Sequence, residues 1–534
     1  MKLPLPISII LLFLGLSVIS PAQTGSIKGR AFNAKNNDPL PFTNIIISGT
    51  NIGSASDIDG YFLFTGLKPG YVKLQATSIG FENVITDEIL ITNAKQAYED
   101  IPMTEKVFQI EGVVVNSKLF KRVEESPVSL RSIGIAQIEK SPGGNRDISK
   151  VIQSLPGVSS SVAYRNDVIV RGGGPSENRF MLDGIEIPNL NHFATQGASG
   201  GPAGIINTDF LREVDFYSGA FPASKGNALS SVLDMKLIDG NDQRMIYRAT
   251  LGASEMALSA NGPLSKKTKL LFSVRQSYLQ FLFSAIGLPF LPTFNDYTFK
   301  LKTKFNVHNE LTILSLGALD KNKLNTGIKN PTEDQQFILD YLPVNNQWNY
   351  TIGAIYKHYR DKSYGTLAVS RNMLYNELYK YENNQEGDAS KLKLNYASYE
   401  IENKFRYEEV SRLKSFKITY GVGAEYAKYK NNTSKQVFIP NGSDTITKIV
   451  YNTAINLVKF NLFGQVSCSI LNEKLMLSFG IRSDANTYSD YMSNLFKQLS
   501  PRFSASYSLS QKVKLNFNTG RYFQLPAYTT MGYR

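Results

Sequence analysis

The most constraining feature of this sequence is an apolar alternation with a period of two, which recurs from about Met245 to Arg534. Tyr297, Phe299, Leu301, Thr303 and Phe305 alternate with Thr298, Lys300, Lys302 and Lys304. Trp348, Tyr350, Ile352, Ala354 and Tyr356 alternate with polar or small residues, as do Phe416, Ile418, Tyr420, Val422, Ala424 and Tyr426. A longer run passes from Val458 through Phe460, Leu462, Gly464, Val466 and Cys468 to Ile470, and shorter sets are Leu475 to Ile481 and Val513 to Phe517. Successive side chains of a strand point to opposite faces, so each run makes a strand with one apolar and one polar face. Runs of about ten residues suit strands that cross a bilayer with one face on lipid and the other on a polar lumen. Short turns at Asn306 to Asn309, Leu471 to Glu473 and Ser510 to Lys512 alternate with long polar links at Asn322 to Gln335, Glu382 to Ser390 and Asn431 to Thr445. That asymmetry marks a membrane barrel, and a soluble β-repeat does not account for it. The 29 Tyr and 31 Phe fit its aromatic girdles. Cys468, the single cysteine, falls on the apolar face as a small hydrophobe, and no internal disulfide can form.

The N-terminus directs the chain out of the cytoplasm. Lys2, the apolar run Ile7 to Ile19 and the small residues Ser20-Pro21-Ala22 read as a signal peptide over 1–22, with Gln23 the mature start. The apolar run is too short for a spanning helix, and no cysteine follows the cleavage site to anchor a lipid. No later stretch of eighteen apolar residues exists, so any membrane crossing is made by strands. The net charge of +13 is dispersed, and export argues against nucleic acid as a partner. The cations are expected at strand ends, loops and lumen positions, some of them near anionic lipid.

Residues 23–104 read as a small β-sandwich: strands at Ser26 to Phe32, Phe42 to Ser48, Tyr61 to Phe64 and Tyr71 to Thr77, with turns at Asp57 to Gly60 and Gly66 to Gly70. Asp57 and Asp59 do not open a calcium loop, because Gly60 stands fourth and Lys68 twelfth where an EF-hand needs glycine sixth and glutamate twelfth. The strings Pro39 to Ile45, Asp57 to Phe62 and Ser78 to Phe81 resemble the carboxypeptidase regulatory-like domain, a likeness that brings no peptidase chemistry.

Residues 105–239 carry the densest motifs. Gln109 to Asn116 is a lone β-prone string, and a helical stretch at Asp147 to Ser154 is closed by Leu155-Pro156-Gly157-Val158. Asp167 to Gly174, Arg179 to Ile185, Ile187 to Asn189, Phe210 to Pro222 and Gly226 to Leu233 follow. In this order they closely resemble the plug domain of TonB-dependent receptors, with Ser224-Lys225 departing from the usual Glu-Tyr in a way expected to alter only a loop contact. Independently of the family, Gly172, Gly184, Gly219 and Gly226 punctuate short strands where tight turns or close backbone approach are needed. Arg171, Asp183 and Glu213 are candidates for ion pairs from plug to wall.

The fold expected is mainly β: a small N-terminal β-sandwich, an α+β plug over 105–239 and, over 240–534, a partial antiparallel transmembrane β-barrel. Roughly twelve barrel-type strands can be counted after Asp239, whereas the resemblance implies 22. The chain is therefore expected to be incomplete at its C-terminus, since open edges in hydrocarbon are costly. The resemblance further implies a receptor of the Gram-negative outer membrane that imports a small-molecule, glycan or peptide ligand. Energy would come from TonB, with ExbB and ExbD, gripping Ile110, Glu111, Gly112, Val113, Val114, Val115 and Asn116 by strand addition. The rival reading is a binding, adhesion or signalling receptor without transport. No enzyme or cofactor is expected. The three histidines, His192, His308 and His358, lack partners at metal-ligand spacing, and the catalytic strings of zincins and hydrolases are missing. Gly262 to Thr268 lacks the second glycine of a phosphate loop. His192, on the plug string Asn189 to Phe193, is a candidate ligand contact, with a structural hydrogen bond as the alternative.

Overall fold

A computed structural model describes residues 24–34, 38–93, 96–105, 129–141, 144, 147–160, 165–198, 200–241, 244–252, 254–413, 415–439, 445–471, 474–510 and 513–532. Both the signal-peptide reading and the string Ile110 to Asn116 lie outside these residues. The chain forms two compact units, the first spanning residues to Glu105 (33–38 excepted) and the second the remainder.

The first unit has two main sheets over one core. Gly25–Asn33 pairs with Tyr61–Leu67, with Ile101–Met103 on its other side, and Ala97–Tyr98 joins it in parallel. The second sheet runs Gly53–Ala55, Asn44–Ile47, Leu74–Thr77, Val84–Ile85. Ile27, Ile45, Leu74, Ile91, Ile101 and Met103 are fully buried between them. The strand expected over Tyr71 to Thr77 breaks at Lys73, because Gly70–Val72 pairs with Ile89–Ile91 while Leu74–Thr77 pairs with Asn44–Ile47. Asp57 Oδ1 accepts the backbone N–H groups of Asp59 and Tyr61 at 3.0 and 2.8 Å, which is how an aspartate closes a plain turn.

In the second unit, a five-stranded sheet is ordered Leu130–Gly134, Leu211–Tyr217, Ser231–Leu237, Asn178–Leu182, Ile185–Ile187. The helix Ile148–Gln153 packs on it, capped by the Asp147 side chain, which accepts the Ser149 N–H at 2.9 Å. The last two strands join through Asp183-Gly184, both at positive φ (49° and 88°), the turn that Asp-Gly favours in a two-residue hairpin.

The wall is a sheet of thirteen strands, one more than the sequence count, each bonded to the next in chain order. They are β1 (Ile246–Leu251), β2 (Glu255–Pro263), β3 (Thr268–Ser277), β4 (Phe290–Asn306), β5 (Asn309–Leu324), β6 (Val344–Arg360) and β7 (Ser363–Tyr381). Then follow β8 (Leu392–Leu413), β9 (Phe416–Ile439), β10 (Thr445–Ile470), β11 (Leu475–Asn486), β12 (Leu499–Ser508) and β13 (Lys514–Gly520). The alternation has the expected sense. Tyr420, Val422 and Tyr426 on one face are about half exposed, while Lys300, Thr351 and Ser467 on the other are buried.

Two of the expected long links are corrected. Asn431 to Ile439 is not a link but the end of β9, paired out to Ile439 opposite Thr445. A strand that overshoots the bilayer into water needs no apolar face once its ladder is complete, so its polarity misled the reading. Within Asn322 to Gln335 the first residues still belong to β5, and a helix Glu333–Tyr341 begins with Thr332 and Gln335 in a capping box, a signature readable in the sequence.

Candidate functional site

The five-stranded plug sheet and its loops face the inner side of the wall, and the two flanks of that contact differ. Toward β3–β7 the contact is dry. One apolar cluster runs without a break from plug residues Ile152, Leu182, Ile185 and Leu233 into Leu271 of β3, Leu314, Leu316 and Ala318 of β5, Ile355 of β6 and Ala368 of β7. A Cβ at Gly353 of β6 would collide with the Ile185 side chain, so the glycine allows the plug hairpin to touch the wall. The sequence carried a signal for this seam: β5 is apolar on both faces across Leu311 to Leu319, the pattern of a strand covered on both sides.

Two buried ion clusters frame the dry flank. His192, with no exposed surface, lies between Asp320 (Nδ1 to Oδ1, 2.7 Å) and Asp296 (Nε2 to Oδ2, 3.0 Å) and stacks on Phe294 at 4.1 Å. Asp320 also accepts the Phe193 N–H at 2.7 Å, and Arg275 binds both Asp296 and the plug carbonyl of Gly204. Burial works against charge on His192, but Asp320 and Asp296 outweigh it and hold the imidazole pKa above its ordinary value. Its surroundings are those of a structural bridge inside the protein, the alternative given to it above.

In the second cluster, Lys300 of β4 meets Asp183 at 2.9 Å and Asp239 at 3.0 Å, while Lys302 meets Asp239 at 2.6 Å. Burial opposes ionisation of Asp239, yet Lys302 and Lys300 hold its carboxyl well below the usual range. Asp183 therefore links plug to wall as expected. For the other two candidates the partners shown lie inside the plug: Glu213 pairs with Lys236 on the neighbouring strand at 2.8 Å, and Arg171 donates to Ser218.

Toward β8–β12 the contact is polar and less filled. Glu186 meets Lys404 of β8 at 2.9 Å, Lys459 of β10 meets Glu425 of β9 at 2.6 Å, and Tyr528 donates to Glu402. Arg406 of β8 donates to the Gly184 carbonyl at 2.9 Å. Arg482 of β11 donates to Ala223 O at 3.1 Å, and Arg502 of β12 to the carbonyls of Phe221, Pro222 and Lys225. A Cβ at Gly226 would collide with the Arg482 guanidinium, so this glycine serves close approach rather than a turn. Gly172 and Gly219 do take positive φ, 77° and 150°. Lys225, at the departure from the family pattern, pairs with Asp234 at 2.6 Å. A cavity of about 210 Å³ lies on this flank.

Of the sequence candidates, Asp183, Gly184, Gly226 and His192 thus lie at the plug–wall contact. Missed were Arg275, Asp296, Lys300, Asp320, Lys404 and Arg406, all inward alternates of wall strands, where their charge at a lumen position was the available signal. Among the described residues no group of side chains is placed to hold a metal ion.

Three family models match: a CarboxypepD_reg-like domain over residues 27–115, a TonB-dependent Receptor Plug Domain over 122–232, and a TonB dependent receptor-like β-barrel over 276–534. A search of curated proteins found no match. Among solved structures, a mutant of the ferric enterobactin receptor PfeA from Pseudomonas aeruginosa is 16% identical with a TM-score of 0.54, over 75% of this chain and 62% of that one. The siderophore receptor PirA from Acinetobacter baumannii is 14% identical with a TM-score of 0.55, over 76% and 63%. The outer membrane transporter YddB from Escherichia coli is 15% identical with a TM-score of 0.52, over 75% and 61%. These are likenesses of fold, and the chain spans less than two thirds of each neighbour's length.

Proposed function

Since the chain belongs to the TonB-dependent receptor family, we propose that it acts in the outer membrane as an importer of a scarce ligand, drawn past a displaceable plug. The observation that carries this reading is the plug–wall contact itself. A domain held to the inner face of a membrane wall by buried ion pairs, an apolar seam and a partly open polar flank is a stopper that can be both firm and removable.

The outer membrane has no ATP, so the work of displacement comes from the inner membrane through TonB, driven by ExbB and ExbD. TonB grips Ile110 to Asn116 as an added strand, where backbone hydrogen bonds supply affinity. The ligand is a small molecule, glycan or peptide. The siderophores named for PfeA and PirA are the first class to test. The experiment is uptake of radiolabelled ferric siderophores, glycans and peptides by native cells, their gene-deletion strain and a TonB-deficient strain. Uptake of one class that needs both the gene and TonB supports import. Ligand binding that needs the gene, with no energised uptake, would replace import by adhesion or signalling.

A further inference from the structure

The cavity on the polar flank lies between the plug hairpin and β8–β11, and its charged lining is unbalanced. Arg179, Lys225, Lys404, Arg406, Lys459 and Arg482 line it against Glu186, Glu425 and Asp484. Most of these cations are already committed. Lys225 is held by Asp234, Lys404 by Glu186 and Glu402, Lys459 by Glu425 and Arg482 by Asp484. Arg179 stands 3.8 Å from Glu186 and donates to the Asn227 carbonyl. Arg406 differs. Among the described residues it meets no carboxylate: one terminal nitrogen donates to the Gly184 carbonyl at 2.9 Å, and its buried Nε has no hydrogen-bond partner.

Arg406 is half-buried, but its Nε is shut off from water with no acceptor, and an oxyanion that reaches it would supply one. Arginine's planar fork suits carboxylate and phosphate, and a charge-assisted bond is roughly twice as strong as one to a neutral carbonyl. We propose that this cavity is a transit subsite for an oxyanion of the imported ligand, with Arg406 as the receiving group; the proposal rests on the import reading above.

The geometry adds a consequence for the plug. Arg406 is the link from β8 to the turn Asp183-Gly184, and Gly184 leaves room for the approach, a Cβ there standing 3.2 Å from the guanidinium. An oxyanion on the free Nε would share the guanidinium that holds the Gly184 carbonyl, and so would sit where the hairpin meets the wall. On the other flank Leu314, Leu316 and Ile355 are buried in one continuous apolar cluster.

The test uses the full chain purified in detergent at low salt, titrated calorimetrically with citrate and, separately, with inorganic phosphate. The expected result is binding of at least one of the two, and the tighter of them names the oxyanion. Arg406→Gln should weaken that binding about tenfold or more, the scale of losing a charge-assisted hydrogen bond. Arg406→Lys keeps the charge and should bind at an intermediate level, which preserves the test if the glutamine variant folds poorly. Lys393→Gln, at an exposed position on the same strand, should bind like the parent. Binding of neither anion, equal binding by Arg406→Gln and the parent, or an equal loss in Lys393→Gln would overturn the proposal. Binding in detergent needs no TonB, so intact anion binding with no TonB-dependent uptake of any of the labelled ligand classes would sink the import reading alone.

Discussion

Replacing His192 by leucine removes both donors from a buried bridge while nearly keeping its volume. Asp320 would be left with only the Phe193 N–H, and Asp296 would keep Arg275. Breaking a buried pair from one side costs about 3–5 kcal/mol, because the remaining charge stays buried without compensation. The retained partners place the expected loss near the lower end, about 3 kcal/mol. The assay is urea unfolding of the plug, read by a fluorophore on a plug loop, in parent and variant across pH. The folded pKa of His192 is raised above the ordinary 6.5, so its contribution is complete below about 6.5 and is lost as pH rises through the folded value. The gap between parent and variant should therefore be widest in mild acid and shrink in alkali. A gap below about 1 kcal/mol in acid, or one unchanged by pH, would refute the cationic bridge.

Leu314→Ala, at a fully buried position in the dry seam, should cost about 2–5 kcal/mol in the same urea assay, and a neutral result would mean that the seam collapses around the cavity. Val114→Pro removes a backbone donor and fixes φ, so uptake should fall sharply while ligand binding and membrane insertion persist; unchanged uptake would exclude Ile110 to Asn116 as the TonB contact. N-terminal sequencing of membrane-extracted protein should begin at Gln23 or within a few residues, and an intact Met1 would remove the export reading.

The lipid-facing half of the wall was legible because hydrocarbon imposes a strict rule on it: every second residue of β4, β6, β9 and β10 must be apolar. The plug was legible through turn chemistry, as at Asp183-Gly184, and through the Asp147 cap. The lumen side was not. His192 and Asp320 are 128 residues apart in the chain, and Arg406 and Gly184 are 222 apart. Periodicity shows which face a residue occupies and nothing of what it meets there. Lys300 therefore read as a generic polar alternate, and Arg171 and Glu213 as reaching the wall, whereas the partners shown for them lie inside the plug. The helix Glu333–Tyr341 was the opposite failure, since Thr332 and Gln335 announced it locally.

The two flanks also differ in what breaks them. Each large side chain of the dry seam holds about 1.5–3 kcal/mol of burial, which ions do not compete for and which is lost only when the surfaces part. On the polar flank the links from wall to plug are guanidinium bonds to carbonyls, by Arg406, Arg482 and Arg502, together with the pair of Glu186 and Lys404. Each such bond nets about 1–3 kcal/mol and can be exchanged singly for another acceptor as a solute or water arrives. A pull on the plug therefore meets the collective resistance of the apolar seam along β3–β7, added to the buried ion clusters there, and stepwise resistance along β8–β12. Loosening starts where bonds can be traded one at a time. The residues that decide which solute passes are accordingly expected on β8 to β12, and those that keep the stopper in place on β3 to β7.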